Sequence, residues 1–298
     1  GNYVPSTPLH LIHQNHPFLG HSPTNFQKTR ELVEPLLWYP YQTNRSGAAF
    51  TTTSQKAFPD LGETFLQISW GGRLFAICTA DHGQPFSWQL PIQLDFPSLN
   101  GTSHPRSGRL YLTGLGISGY KPTTPILSGI ASIEQTAPLP SPVSMDVTGK
   151  TVQVVFHRPL AANETVVPAS PALRMFNIQR SPQYGSGHFK WDQQPGEQRF
   201  QPTGFTISDD RRTLTLTFDF LFRSDLLDLS LNLTCGPNLL PLHLFSRPAH
   251  LPLPDKESLR KLAELEKKSS PAGPGNSTRG KIHFTNFACA GCHALDST

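Results

Sequence analysis

Apolar and polar residues alternate along several short stretches in the second half of the chain. In the clearest stretch, residues 213–218, every second residue is apolar, which is the period of a β-strand with one buried face. The predicted buried face of this strand contains Leu214, Leu216 and Phe218. Residues 152–156 alternate in the same way. Because such stretches recur between turn residues from 130 to 248, they predict a β-sandwich of immunoglobulin-like type.

The preceding part of the chain, residues 1–129, has short apolar runs broken by turn residues. Residues 65–70 and 73–78 are two such runs on either side of a Gly-Gly pair, and they predict a β-hairpin. Residues 109–113 predict another strand. Residues 5–40, by contrast, are rich in Pro, His and Asn and show little periodicity, so they predict long loops.

The β pattern ends near residue 249. Between residues 255 and 268, leucines recur at helical spacing among Glu, Lys and Arg, which predicts one amphipathic helix. Residues 269–280 consist largely of Ser, Pro, Gly, Asn and Thr, and they predict a flexible linker. The helix and linker would separate the β regions from the last residues of the chain.

Composition and charge narrow the classes of function. Among 298 residues, 29 are proline and 23 are glycine, which argues against a coiled coil or a helical bundle. The net charge of +4 is spread along the chain and forms no concentrated basic face, so we expect no nucleic-acid partner. No run approaches the roughly 20 consecutive apolar residues of a membrane-spanning helix, so we expect no transmembrane span.

One motif points to specific chemistry. Residues 289–293 read Cys-Ala-Gly-Cys-His, the CxxCH pattern of covalent c-type haem attachment. Two thiols one helical turn apart can each add to a haem vinyl group, and the adjacent imidazole can then bind the iron as an axial ligand. We therefore predict that Cys289 and Cys292 attach haem c covalently and that His293 is the proximal iron ligand.

A CxxC pair has two other interpretations. It can be half of a zinc site, but the remaining cysteines, Cys78 and Cys235, are distant in sequence and form no second CxxC. It can also be a thioredoxin-like redox pair, but the Pro- and Gly-rich linker before it does not fit a βαβ unit. For Cys78 and Cys235 themselves we favour buried free thiols, with a disulfide as the alternative.

The motif and its surroundings resemble a known family. Residues 280–295, with Phe284 before the first cysteine, resemble the opening of a class I cytochrome c domain. Together with residues 1–5, 109–115 and 184–188, they make the chain similar to the C-terminal part of large bacterial haem-binding proteins of the planctomycete and verrucomicrobial type. In that family, a β-propeller similar to glucose and sorbosone dehydrogenases precedes a small β domain and a cytochrome c domain.

This resemblance implies a division of the chain into four parts. Residues 1–129 would be the end of a propeller, 130–248 a β-sandwich-like domain, 249–279 a helix and linker, and 280–298 the truncated start of an α-helical cytochrome c domain. A cytochrome c domain needs roughly 80 to 100 residues to surround its haem, whereas five residues follow His293. We therefore expect a fragment of a longer protein, with the distal haem ligand lying downstream.

The expected function is electron transfer by haem c between redox partner proteins. Because c-type haem is attached outside the cytoplasm in bacteria, we expect the protein in the periplasm or at the cell surface. The resemblance also implies a quinone cofactor in upstream propeller blades and a sugar dehydrogenase-like activity of the full-length protein, but this chain shows no catalytic residues for it. The alternative is a non-enzymatic carbohydrate- or surface-binding β protein with an accessory cytochrome.

Two weaker candidates lie in predicted loops. His10, His13 and His16 could bind a metal, but nearby prolines argue against a helix that would align them, so solvated loop histidines are favoured. Residues 184–188, Tyr-Gly-Ser-Gly-His, could pass for a serine nucleophile turn. They lack the Gly-x-Ser-x-Gly spacing of that motif, so a β-turn is favoured.

Two more candidates lie in or beside predicted strands. Asp209 and Asp210 could bind calcium or act as an acid and base pair, but the tip of a hairpin explains both. Aromatic residues between 70 and 88 could form a platform for sugars, but aromatic residues in strands more often belong to the core. The members of this aromatic set are Trp70, Phe75, Phe86 and Trp88.

Overall fold

A computed structural model of the chain describes residues 7–11, 34–40, 42–44, 46–79, 84–116, 124–179 and 187–269. These residues form seventeen β-strands and one α-helix, which confirms the predicted mainly β class. The strands up to residue 133 are β1 (Thr7–Leu9), β2 (Leu37–Tyr39), β3 (Gly47–Thr52), β4 (Phe65–Ser69), β5 (Arg73–Cys78), β6 (Phe86–Gln93), β7 (Asn100–Ser103), β8 (Leu110–Leu115) and β9 (Ser128–Ile133). The later elements are β10 (Pro142–Val147), β11 (Thr151–Phe156), β12 (Glu164–Phe176), β13 (Gln198–Phe200), β14 (Gly204–Ile207), β15 (Thr213–Thr217), β16 (Leu226–Cys235), β17 (Asn238–Ser246) and helix α1 (Lys256–Ser269).

The described strands form four antiparallel sheets. Four strands are ordered β10-β11-β15-β14, and eight strands are ordered β13-β12-β16-β17-β6-β5-β4-β3. A three-stranded sheet, β7-β8-β9, and the pair β1-β2 complete the set. Because β17 pairs with β6, the eight-stranded sheet takes strands from both sides of the predicted boundary at residue 129. That boundary therefore does not coincide with a boundary between sheets.

The hairpin predicted around the Gly-Gly pair is confirmed as β4 and β5. Gly72 in its turn has a φ of 76°, in the left-handed region that favours glycine. A Cβ atom at this position would lie 2.6 Å from the carbonyl oxygen of Leu94, so the close approach of the two backbones also requires glycine. The sequence of the turn thus determines where the two strands separate.

The core contains the apolar faces of the two larger sheets. The predicted alternation in β15 is confirmed, because Leu214, Leu216 and the following Phe218 are buried. The neighbouring strand β11 contributes Val152, Val154 and Phe156 to the core. In the eight-stranded sheet, one face of β16 is a row of buried leucines at every second position, namely Leu227, Leu229, Leu231 and Leu233.

The first strands correct the expectation of loops throughout residues 5–40. Within the described parts of that stretch, β1 and β2 pair with each other. Leu37 and Tyr39 pack with Phe75 and Phe245, which lie on the eight-stranded sheet. Three-residue strands are too short to show periodicity, so the prediction missed them. Their buried side chains are Leu9 on β1 and the Leu-Trp-Tyr run of β2.

The chain divides into two units, Gly1–Leu253 and Pro254–Thr298. The second unit contains α1, which confirms the predicted helix. Asp255 caps its beginning, because the Asp255 carboxylate accepts a hydrogen bond from the Ser258 backbone N–H at 2.8 Å. Within the helix, Glu257 and Lys261 form an ion pair at 3.1 Å. No described helix is both long and apolar enough to cross a membrane.

Candidate functional site

The predicted haem-attachment residues Cys289, Cys292 and His293 lie outside the described residues, as do residues 280–298 as a whole. These residues are known from the sequence alone, which contains two thiols and one imidazole in the order that covalent haem attachment requires. The described part of the chain bears on the competing interpretation, because a four-cysteine zinc site would have to take its other ligands from the β region.

Cys78 and Cys235 are too far apart to complete such a site together. Cys78 on β5 pairs with Phe86 on β6, Phe86 pairs with Ser246 on β17, and Ser246 pairs with Leu227 on β16. Strands β5 and β16 are therefore separated by three strand spacings of about 4.8 Å each. Cys235 lies eight residues beyond Leu227 on β16, which adds about 26 Å along the strand at roughly 3.3 Å per residue. One zinc ion, with Zn–S bonds of about 2.3 Å, cannot reach both thiols.

The same separation excludes a disulfide between Cys78 and Cys235, whose Cα atoms would have to lie within about 7 Å. Both residues are free, half-buried thiols, in agreement with the favoured prediction. Burial raises the pKa of Cys78 to about 12 and also raises the pKa of Cys235. Because the thiolate is the nucleophilic form of cysteine, these raised pKa values make both thiols less reactive than an exposed cysteine.

The predicted histidine cluster is described only at His10, since His13 and His16 lie outside the described residues. Across the described ranges, no group of three or more His, Cys, Asp or Glu side chains could hold a metal ion.

The aromatic set belongs to the core, as favoured from the sequence. Its four members, Trp70, Phe75, Phe86 and Trp88, are all buried. Phe75 packs against Tyr39 and Phe245, with ring centroids 4.9 and 6.1 Å away. A buried ring cannot stack on a sugar, so these residues do not form a carbohydrate platform.

The acidic pair lies at a hairpin tip, as predicted. Asp209 and Asp210 connect β14 to β15, and the Ser208 hydroxyl donates a hydrogen bond to the Asp210 carboxylate at 2.5 Å. The same carboxylate accepts a hydrogen bond from the Arg212 backbone N–H at 3.1 Å. Asp210 thus stabilises the turn. Of the predicted turn at 184–188, only Gly187 and His188 are described.

A network of charged side chains on the eight-stranded sheet was not predicted. Arg174 on β12 forms ion pairs with Asp228 on β16 and with Glu197, whose Oε1 lies 3.5 Å from its Nη1. His188 Nδ1 lies 2.6 Å from the same Glu197 oxygen, and the His188 ring stacks on Phe176. The network joins the segment before β13 to the middle of the sheet.

The centre of this network is strongly desolvated. Only 1% of the Asp228 side chain is exposed, and burial raises the pKa of its carboxyl although the charge of Arg174 opposes that effect. Burial also lowers the pKa of His243 on β17, whose Nδ1 lies 3.9 Å from Asp228 Oδ1. The sequence signal was absent, because Asp228 occupies a regular polar position in an alternating strand.

The network resembles a catalytic triad in residue type but not in geometry. The Ser230 hydroxyl lies 3.1 Å from His243 Nδ1, on the same ring nitrogen that Asp228 approaches. In a triad, the carboxylate and the serine contact opposite ring nitrogens, so that the imidazole can remove the serine proton. Asp228, Ser230 and His243 therefore cannot act as a serine hydrolase triad.

A second histidine–carboxylate pair, His157 and Asp60, is also structural. The Ser141 backbone N–H donates to His157 Nδ1 at 3.1 Å, so the other ring nitrogen carries the proton that is donated to Asp60 Oδ1 at 3.0 Å. Burial acts to raise the pKa of Asp60, but hydrogen bonds from the Leu139 backbone and from Gln135, together with His157, outweigh it and lower that pKa. Both ring nitrogens are occupied, so none is available for proton transfer.

Comparisons of the chain with protein-family models, with curated proteins and with solved structures find no match. The functional interpretation therefore rests on the residues and on their geometry.

Proposed function

We propose that this chain carries covalently attached haem c and that the whole protein uses it for electron transfer. The observation that carries the proposal is the motif Cys289-x-x-Cys292-His293. The two thiols would form thioether bonds to the haem vinyl groups, and the His293 imidazole would bind the iron from one side. When bound, haem c supplies one-electron exchange between FeIII and FeII.

The separation of the other two cysteines supports this proposal over a four-cysteine zinc site. Cys78 and Cys235 lie on distant parts of one sheet, and their thiols resist ionisation. A zinc ion bound at Cys289 and Cys292 could not recruit both of them. Haem attachment, by contrast, needs no ligand from the β region beyond a sixth iron ligand, which the resemblance assigns to a residue downstream.

For residues 130–248 we propose an immunoglobulin-like β-sandwich. The order β10-β11-β15-β14 corresponds to strands A, B, E and D of that fold, and the order β17-β16-β12-β13 corresponds to G, F, C and C′. This agreement of both strand orders supports the proposal. The disulfide of antibody domains has no counterpart, because β11 contains no cysteine.

For residues 1–129 we propose the end of a β-propeller. Strands β3, β4, β5 and β6 pair in chain order as a four-stranded antiparallel meander, which is the arrangement of a propeller blade. The meander departs from a separate blade in one respect, since β6 also pairs with β17 and so joins the meander to a larger sheet. Upstream blades would hold any quinone cofactor. We further propose redox partner proteins, because haem c exchanges electrons, and a periplasmic or cell-surface location, because c-type haem is attached outside the cytoplasm.

The test is expression of the complete coding sequence in a bacterium that attaches c-type haem. We expect the intact mass to increase by one haem, with a reducible visible spectrum that survives denaturation and solvent extraction. The double variant Cys289→Ala/Cys292→Ala should lose this mass increment completely. The matched control, Cys78→Ala/Cys235→Ala, removes the same number of thiols and should keep the haem.

Other results would reject the proposal. An unmodified mass without a haem spectrum would contradict haem attachment. Zinc bound in proportion to protein, and lost in Cys289→Ala/Cys292→Ala, would establish a metal site of another kind. His293→Ala should retain the covalent haem but shift its absorption, because the proximal ligand is lost; an unchanged spectrum would contradict the role of His293.

A further inference from the structure

A cavity of about 170 Å³ lies at one end of the eight-stranded sheet. It forms where β12 ends, β16 begins and β17 ends, because Phe176 pairs with Leu226 and Leu227 pairs with Ser246. Its walls include Asn177, Trp191, Gln193, Arg223, Asp225 and Arg247. These residues lie in connections after or before the strands, which are the positions where β-sandwich proteins commonly place binding residues. The network around Asp228 does not contribute to this lining.

Hydrogen bonds to backbone groups fix two lining side chains, those of Asn177 and Asp225. The Asp225 backbone N–H donates to Asn177 Oδ1 at 3.0 Å, and the Ile178 backbone N–H donates to Asp225 Oδ2 at 3.0 Å. The Asn177 side chain also donates to the Lys190 carbonyl at 3.3 Å, which connects the cavity wall to the turn that carries Trp191. The polar lining is therefore ordered before any ligand binds.

Two groups of the lining, the Trp191 ring and the Arg223 guanidinium, remain available to a ligand. Gln193 Oε1, by contrast, already accepts a long hydrogen bond from Gln179 Nε2 at 3.5 Å, which leaves the Gln193 amide N–H groups as donors. Trp191 is half-buried, and neither its indole N–H nor the Arg223 guanidinium makes a hydrogen bond within the described part of the chain. Gln193 has a φ of 66°, a backbone conformation that glycine would adopt with less strain. An amide side chain at that position is consistent with a binding role for the side chain.

The charges at the cavity balance once Glu34 is counted, because the lining itself contributes two arginines and one aspartate. Arg247 is paired with Glu34, whose Oε2 lies 2.8 Å from its Nη2, and Arg223 shares the cavity with the Asp225 carboxylate. A site built for an anion would carry excess positive charge. With Glu34 counted, the site combines donors, acceptors and one aromatic ring without net charge, which suits a neutral ligand with several hydroxyl groups.

We propose that this cavity binds one neutral sugar ring. The Trp191 ring would stack on the apolar C–H face of a pyranose, while Arg223 and Gln193 would hydrogen-bond its hydroxyl groups. A volume of 170 Å³ equals the space of about six water molecules at roughly 30 Å³ each, which suits a monosaccharide unit. This inference is independent of haem attachment, and it adds a specific site to the carbohydrate-binding alternative.

The test is titration of the full chain with D-glucose, D-galactose, D-mannose and N-acetyl-D-glucosamine, measured by calorimetry and by tryptophan fluorescence. The other tryptophans, Trp38, Trp70 and Trp88, are buried, so a change in fluorescence would report on Trp191. Using the Cys289→Ala/Cys292→Ala background removes haem quenching and separates this test from that of the haem. We expect at least one sugar to bind with a Kd of about 1 mM or lower.

Three variants examine the contacts. Trp191→Ala should weaken sugar binding about tenfold, whereas Trp191→Phe should keep the affinity within roughly threefold and lose the fluorescence change. Arg223→Ala should weaken binding without affecting folding, because the Arg223 side chain is exposed. The control Phe50→Ala removes an exposed aromatic residue on β3, and it should leave the Kd unchanged.

The proposal would be overturned if none of the four sugars bound at concentrations up to about 50 mM, the weakest binding that the titration can detect. Binding that persists unchanged in both Trp191→Ala and Arg223→Ala would place the sugar elsewhere. Phosphate or acetate binding that depends on Arg223, with no sugar binding, would identify an anion site instead.

Discussion

Two strands, β15 and β16, show how the same sequence pattern can have different structural outcomes. Both alternate apolar and polar residues. In β15 the polar residues remain partly or fully exposed, as alternation predicts. In β16 the first four residues are all buried, including Asp228. The difference arises because β15 has one covered face, whereas the first four residues of β16 are covered on both faces; the later polar residues of β16 are again partly exposed.

The face of β16 that contains Asp228 is covered by residues that are distant in sequence. Trp38 of β2 packs against Phe176 and Leu226, which lie beside Arg174 and Asp228 on the same face of the sheet. A charged residue that is removed from water needs a partner of opposite charge, and Arg174 provides it. The contrast teaches that alternation identifies a strand and its apolar face, but not whether the other face meets solvent.

The largest expected loss of stability tests whether the start of β16 is covered on both faces. Arg174→Met would leave Asp228 buried without its cation, so we expect a loss of about 4 kcal/mol in the free energy of unfolding, measured by urea denaturation at pH 7. The double variant Arg174→Met/Asp228→Leu should recover most of that loss. Arg199→Met is the control, because Arg199 lies opposite Arg174 on β13 but its side chain is 66% exposed. A loss in Arg174→Met no greater than in the control would mean that Asp228 is solvated.

The next effect tests the sheet with one covered face. Leu216→Ala should lower the free energy of unfolding by about 3 kcal/mol, because it removes buried methyl groups and leaves a cavity. The adjacent variant Thr217→Ala lies on the exposed face of β15 and should change stability by less than about 0.5 kcal/mol. Equal losses in the two variants would contradict the assignment of a single buried face.

The smallest of the three expected losses of stability concerns the connection between the four-stranded and the eight-stranded sheets. Arg158, which follows β11, donates two hydrogen bonds of 2.7 Å to the Glu164 carboxylate at the start of β12. These bonds lower the pKa of Glu164. We expect Glu164→Gln to lower the free energy of unfolding by about 2 kcal/mol at pH 7.

The effect of Glu164→Gln should depend on pH with a definite sign. Because the folded-state pKa of Glu164 lies below its unfolded value, its stabilisation is present at neutral pH and is lost as the pH falls through the folded-state pKa, below 4.5. Urea titrations at pH 7 and pH 3 should therefore show a smaller difference at pH 3. Glu134→Gln, which disrupts the exposed pair with Arg109, should change stability by less than about 0.5 kcal/mol. A difference for Glu164→Gln that is constant with pH would contradict the ion pair.

Much of the fold could be predicted because its signals are local. The Gly-Gly turn between β4 and β5 and the leucine spacing in α1 each lie within a few residues of sequence. The short strands β1 and β2 were missed, since three residues contain less than two full periods. The eight-stranded sheet was also missed, because the pairing of β17 with β6 joins residues about 160 positions apart, and no local pattern encodes it.

The candidate sites divide in the same way. The haem-attachment motif is contiguous, so five residues of sequence suffice to propose its chemistry, and that proposal awaits the mass measurement. The cavity beside Trp191 is assembled from three connections along the chain, and no segment of sequence indicated it. Trp191 and Arg223 become neighbours of one cavity only because antiparallel pairing brings the end of β12 to the beginning of β16.

The sequence by itself determined the mainly β class, the positions of its clearest strands, the helix and the contiguous CxxCH pattern on which the haem proposal rests. These features depend on side-chain period, turn residues and contiguous spacing, all of which are local. The tertiary structure alone decided which polar residues are buried, which carboxylates need a cation, and which loops enclose a cavity. Burial and charge pairing depend on what packs against each face, and those contacts come from residues far away in the chain.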